Sequence, residues 1–210
     1  MSIELVIVKE LANIGVTLTE LSSIARTVTS EIRRGEFAKL FTEMVAELAK
    51  CYDVVDDNIS PLVELDSELD FVANFDVRHA DYKARYLKEI SKPRTYVDDA
   101  YETYLTLKTL RESKTSYPLL KRTFGRLDEF VDKWVTNDAW LAMSIDTLFK
   151  MLHRLLNEVA EVKQKDPSDA YLIYHAALSD FDGYLALIRD KRGLLDEIID
   201  MPETNPALAL

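Results

Sequence analysis

Asp53-Val54-Val55-Asp56-Asp57 and Asp98-Asp99-Ala100-Tyr101-Glu102 each set carboxylates at i, i+3 and i+4 or close to it, which brings them to one side of a helix. Carboxylates so grouped on facing helices suit Mg²⁺, which takes one or two of them together with substrate phosphates. Asp53, Asp56, Asp57, Asp98, Asp99 and Glu102 are therefore the candidate Mg²⁺ ligands. They define one reading of the chain, a Mg²⁺-dependent helical enzyme acting on a phosphate or diphosphate.

The second cluster resembles the aspartate-rich DDxxE motif of all-α prenyl-diphosphate enzymes, although 210 residues is short for a terpenoid synthase. Neither cluster has the Glu-x-x-Glu plus Glu-x-x-Asp arrangement of helical nucleotide pyrophosphatases. The three histidines are His79, His153 and His175. A di-iron bundle needs Glu-x-x-His on each of two helices, and the nearest match is a single Asp76-x-x-His79. The Arg that precedes the catalytic His of HEPN nucleases by four to six residues has no counterpart. Cys51 falls on an apolar helical seam and reads as a buried structural thiol. There is no Gly-rich phosphate loop, GxSxG or HExxH. No catalytic residue, cofactor or transition metal is expected.

The elements that must position these groups are all helices. Ile7, Leu11, Ile14, Leu18, Leu21, Ala25, Val28 and Ile32 repeat at 4-3 spacing, the signature of an apolar helical seam. The spacing predicts helix 1 over about 3–34, with Ser2 as N-cap and Gly35 in the left-handed position after it. Phe37, Phe41, Met44, Leu48, Cys51 and Val55 give helix 2. Ser60-Pro61 predicts a stop and a restart, with Leu62, Leu65, Leu69, Val72 and Phe75, then Tyr82, Tyr86 and Ile90, on helix 3. Val97, Tyr101, Tyr104, Leu107 and Leu110 mark helix 4. Helix 5, restarting at 116–118, carries Leu120, Phe124, Leu127, Val131 and Trp134. Helix 6, capped by Asn137 or Asp138, carries Leu141, Ile145, Leu148, Leu152, Leu155, Val159 and Val162. Asp166-Pro167 opens helix 7, with Tyr171, Tyr174, Leu178, Phe181, Leu185 and Ile188, continuing to Leu195 and Ile199.

No stretch alternates with period 2. The expected fold is all-α, an elongated up-and-down bundle of about seven long antiparallel helices with coiled-coil-like seams, consecutive helices packing as neighbours. One domain covers 1–201, with a sub-division near 92–93, and 202–210 forms a flexible tail.

Charge and composition narrow the function. Asp plus Glu number 37 against 26 Lys plus Arg, a net charge of −11, which argues against general nucleic-acid binding. No apolar run is long enough to span a membrane, and Leu5-Val6-Ile7-Val8 is too short for a signal-peptide core. One cysteine fits a cytoplasmic location. Acids crowd Asp53 to Asp76, including Asp66 and Asp70, whereas Leu105 to Leu127 is basic and includes Lys121 and Arg122. Helix 1 is unusual in another way. Between Leu11 and Ser30 only Glu20 and Arg26 are charged, and its off-seam positions are Ser, Thr and Asn. Neutral polar groups are easier to desolvate than charges, so helix 1 is expected to touch something on more than one side.

These features favour a non-enzymatic protein–protein interaction module, such as a scaffold, adaptor, inhibitor or assembly subunit. The partner is another protein or a second copy through helix 1. The candidate contact residues are Thr19, Ser22, Ser23, Arg26, Thr27, Asp66, Asp70, Lys121 and Arg122. An acidic mimic of nucleic acid is a third reading.

Overall fold

The computed structural model describes residues 2–31, 35–113, 121–136, 140–179 and 181–200. Among them the regular structure is helical throughout: α1 (Ile3–Glu31), α2 (Glu36–Val63), α3 (Glu68–Glu89), α4 (Lys92–Ser113), α5 (Lys121–Val131) with a π-helical extension Asp132–Thr136, α6 (Trp140–Lys163), α7 (Pro167–Leu178) and α8 (Phe181–Ile199). The predicted seams supply the core. Ile7 to Val28 of α1, Phe41 to Val55 of α2 and Leu141 to Val159 of α6 are buried at every predicted seam position. The predicted restart at 116–118, the caps Asn137 and Asp138, and the tail 202–210 lie outside the described residues.

Three boundaries differ from the sequence expectation. Ser60-Pro61 does not start a helix, because α2 runs through Pro61 to Val63. Proline removes the donor that would bond the carbonyl four residues back. That carbonyl belongs to Asp57, and Arg85 Nη1 of α3 donates to it at 2.6 Å. The helix thus continues because a side chain from the next helix replaces the missing backbone donor. The next start is Ser67, whose hydroxyl accepts from Asp70 N at 3.1 Å. Leu69 and Val72 consequently leave the core. Phe71, Phe75, His79 and Tyr82 form the buried seam of α3 instead.

The helix predicted to run from 167 to 199 is two, with α7 ending at Leu178 and α8 beginning at Phe181. This raises the expected seven helices to eight among the described residues. At the start of α7 the predicted cap holds, since Asp166 Oδ1 accepts from Ser168 N and Asp169 N. Gly35 does adopt a positive φ of 94°, but with ψ at 179° it is extended and caps the start of α2.

Packing does not follow chain order. α1 lies mainly against α6 and α8, and α2 against α4 and α8. Cys51 Sγ sits 3.6 Å from Pro93 O, and Phe37 meets Phe124, whose ring also carries Arg111. α4 is therefore antiparallel to α2. Arg78–Glu64 and Arg85–Asp57 make α3 antiparallel to α2 as well. Hence α3 and α4 follow one another in the same sense along α2, contrary to the expected reversal at every connection.

Candidate functional site

The first acidic cluster is bound up in ion pairs. Asp53 accepts from Arg192 Nε at 2.7 Å and Nη2 at 3.1 Å, and Arg192 also reaches Asp196. Asp56 accepts from Arg189 Nε at 2.9 Å, and Arg189 Nη2 donates to Ser60 Oγ at 2.6 Å. These bonds tie α2 to α8. Asp57 is exposed beside them. In the second cluster Asp98 pairs with Arg94 one turn back, while Asp99 and Glu102 face solvent. Among the described residues no three His, Cys, Asp or Glu side chains converge as a metal site would require. The six candidate Mg²⁺ ligands are therefore not brought together.

The remaining candidate groups are also separate. Cys51 is fully buried, and burial first, then Glu47 and Asp53, pushes its thiol pKa far up, so it stays protonated. A protonated thiol is a poor nucleophile. His79 and His153 sit between α3 and α6. His153 stacks on Tyr86 with centroids 4.5 Å apart, and His79 packs on Phe75. Both rings are held below the ordinary histidine range, by burial first and then by the Lys83 ammonium. His79 Nε2 and His153 Nδ1 are buried without a hydrogen-bond partner.

His175 lies elsewhere, on a groove of about 280 Å³ at the C-terminal ends of α2 and α7. Leu62, Leu65, Tyr174 and Leu178 floor it, and Asp66, Ser179 and Asp182 also line it. Serine, histidine and aspartate thus share one groove. Among the described residues, however, no hydrogen bond joins the Ser179 hydroxyl to His175 or His175 to either carboxylate, so no nucleophilic triad is assembled. The groove has a structural purpose in Tyr174, whose hydroxyl donates to Leu62 O, and Tyr171 likewise donates to Asp66 O. These bonds satisfy carbonyls at and just past the end of α2.

The predicted contact residues of helix 1 divide. Ser22 is buried and donates to Thr19 O. Thr19, Thr27 and Thr29 donate to the carbonyls of Gly15, Ser23 and Ala25 one turn back. Ser23 accepts from Arg126 at 3.1 Å, and Glu20 accepts from Lys133 and from Trp134 Nε1. Gly15 allows α8 to approach, since a Cβ there would lie 3.2 Å from Leu187 Cδ2. Much of the neutral polar surface of α1 is thus spent inside the monomer. A narrow exposed stripe remains, with Leu5, Lys9, Val16, Thr19, Ser23 and Arg26. Asp66 and Asp70 are exposed near the start of α3, and the side chains of Lys121 and Arg122 lie outside the described residues.

The surface that sequence reading missed is the outer face of α3. Its inner seam meets α6 through Tyr82, whose hydroxyl donates to Phe149 O, and α7 through Phe71, which packs on Tyr171 and Tyr174. On the other side Leu69, Ala73, Val77, Ala80, Ala84 and Leu87 are all exposed. Leu69 is 84% exposed, Val77 63% and Leu87 79%. Their spacing of 4-4-3-4-3 places them on a single face. Single exposed apolar residues are ordinary, whereas these six share one face and make it a candidate contact surface. The signal was present in the sequence as two interleaved apolar repeats between residues 69 and 87.

Comparison with known proteins gave no match to a family model, a curated protein or a solved structure. Function must therefore be argued from these surfaces. No helix among the described residues is long and apolar enough to cross a membrane.

Proposed function

We propose that this chain is a non-enzymatic interaction module of the cytoplasm, a scaffold, adaptor, inhibitor or assembly subunit built as an elongated helical bundle with coiled-coil-like seams. The observation that carries the reading is the outward stripe of α3. A helix that needed only to cover the core would keep one apolar face, and this one has two. Among the described residues the outer face contributes nothing to the core, so burial of its leucines and valine against another molecule is the use that this face suggests. The exposed remainder of α1, with Leu5, Val16, Thr19 and Ser23, is a second and smaller surface of the same kind.

The test is to place a photoreactive amino acid at Ala80 on α3, and separately at Thr19 on α1, and to irradiate cells of the source organism. A discrete higher-mass adduct from position 80 is expected, and position 19 reports whether α1 shares in binding. A folded chain that yields no adduct from either position would overturn the proposal.

A further inference from the structure

We infer that the outer face of α3 pairs antiparallel with α3 of a second copy of this chain. The inference rests on the interaction reading above and names its partner. The stripe is nearly the same read in either direction. Leu69 and Leu87 stand nine residues on either side of Arg78, with Ala73, Val77, Ala80 and Ala84 between them. A two-fold axis through the middle of the helix therefore sets leucine of one copy against leucine of the other at both ends, with small side chains in between. Such a patch is self-complementary, which an isologous dimer requires. The alanines allow the two helix axes to approach closely.

Charge selects the direction. The first half of α3 holds Glu68, Asp70 and Asp76 with no Lys or Arg, and the second half holds Lys83 and Lys88 with Asp81 and Glu89. Arg78 and Arg85 also belong to the second half but turn to α2, where they bond Glu64 and the Asp57 carbonyl. Asp70, Asp76, Asp81, Lys83 and Lys88 are exposed beside the stripe. In an antiparallel pair Asp70 comes alongside the partner's Lys88, and Asp76, which accepts from Lys163 of α6 within its own chain but keeps a side chain 78% exposed, comes alongside the partner's Lys83. A parallel pair would set acid against acid along the first half and lysine against lysine along the second, which is unfavourable. α2 and α6 flank the inner side of α3, bonded through Arg78, Arg85 and Tyr82, and leave the stripe as its outermost line. From Leu69 to Leu87 it extends about 27 Å at the helical rise. One helix pair buries less than the roughly 800 Å² per partner of a standard interface, so the dimer is weak and its population rises with concentration.

Sedimentation equilibrium over a wide concentration range tests this. The wild-type mass is expected to climb from that of the 24.1 kDa chain towards twice that value. Val77→Glu and Leu87→Glu should each hold the mass at the monomer value with unchanged helix content. If either unfolds, Lys83→Glu/Lys88→Glu serves instead, weakening self-association, and mixing it with Asp70→Lys/Asp76→Lys should restore a mixed dimer. Orientation is read by oxidising variants that each add one exposed cysteine to the buried Cys51. Leu69→Cys mixed with Leu87→Cys should form a mixed disulfide, while Leu69→Cys alone should not, because antiparallel pairing holds the two 69 positions about 27 Å apart. A wild-type chain that stays monomeric at every concentration, a dimer indifferent to Leu87→Glu, or a ready Leu69→Cys self-disulfide would each overturn the inference. A monomeric chain that still gives a photo-adduct from position 80 would overturn the second copy alone, whereas a monomer with no adduct would remove the interaction reading as well.

Discussion

Arg192→Gln, Asp53→Asn and their double variant separate a structural from a metal-binding role for the acidic stretch of α2. Arg192 grips Asp53 through two nitrogens and holds Asp196 with a third. At an effective dielectric of about 20, two charges 4 Å apart attract by roughly 4 kcal/mol before costs are counted. The guanidinium side is 22% exposed and the Asp53 side chain 44%, so solvent screens the pair and desolvation and ordering offset most of the attraction. Exposed pairs measure about 0.2–1 kcal/mol. The two-nitrogen geometry places this one near the upper end, and a coupling of about 0.5–1 kcal/mol is expected from the double-mutant cycle. Arg192→Gln should cost more than Asp53→Asn, since it also releases Asp196. In a domain of this size 1 kcal/mol moves Tm by roughly 2–4 °C, which thermal denaturation resolves. A Mg²⁺ site would instead show linkage, adding roughly 1.4 kcal/mol at ten times its Kd. Magnesium chloride should leave the wild-type Tm where an ionic-strength control leaves it. A coupling near zero, together with a magnesium-specific rise in Tm abolished by Asp53→Asn, would refute the structural assignment.

Two further outcomes follow from the core and from the histidine pair. Leu148 is fully buried mid-way along α6, so Leu148→Ala should lower stability by about 2–5 kcal/mol; an unchanged unfolding midpoint would contradict the seam. His79 and His153 have depressed pKa values, caused first by burial and then by Lys83, with the Asn157 side chain and then Asp76 opposing at His79. The unfolded chain therefore takes up protons near the ordinary histidine pKa of about 6.5 while the folded chain does not. Stability should be full above that pH and fall as pH drops through it, levelling off below the depressed native values. Denaturant titrations between pH 7.5 and 5.5 measure the slope, and His79→Gln should reduce it; a slope equal in wild type and variant would show that His79 does not carry it.

The parts of the fold legible in the sequence are those where one unbroken repeat stays on one helix. From Ile7 to Val28 of α1, Phe41 to Val55 of α2 and Leu141 to Val159 of α6, every residue that the 4-3 spacing marks is buried, although these helices also bury residues off that seam, among them Ile24, Tyr52 and Phe149. α3 was obscured because Leu62, Leu65, Leu69 and Val72 keep helical spacing across a turn. Leu62 and Leu65 are buried at the end of α2 and just beyond it, whereas Leu69 and Val72 are exposed on α3. The local signal for the true start was Ser67 with Asp70 three residues on, a capping pattern. The break after Leu178 was hidden for a related reason, since Tyr174, Leu178, Phe181, Leu185 and Ile188 stay in step on both sides of it. Long-range pairing was not legible at all. Nothing in the spacing of Asp53 and Asp56 says that Arg192 and Arg189, more than 130 residues away, will neutralise them.

The charge segregation seen in the sequence acquires a different meaning once those partners are known. Among the described residues no ion pair joins the acidic stretch to the basic stretch of α4 and α5. Arg189 and Arg192 of α8, Arg78 of α3 and Lys163 of α6 meet it instead, while Arg111 of the basic stretch pairs with Asp128. Most of the conspicuous acids between residues 53 and 76 are thus tied to neighbouring helices. Asp70 is an exception, bonded only to its own cap, Ser67. Asp70 borders the same outer face of α3 that carries Leu69, Val77 and Leu87. An acid not tied to a neighbouring helix and, among the described residues, the most exposed leucines therefore coincide on one helix. An interaction through α1 would have to displace side chains already bonded to Arg126, Lys133 and Trp134. One through α3 displaces only water from its apolar stripe, and that difference in cost is why α3 rather than α1 is the surface on which this protein is expected to meet its partner.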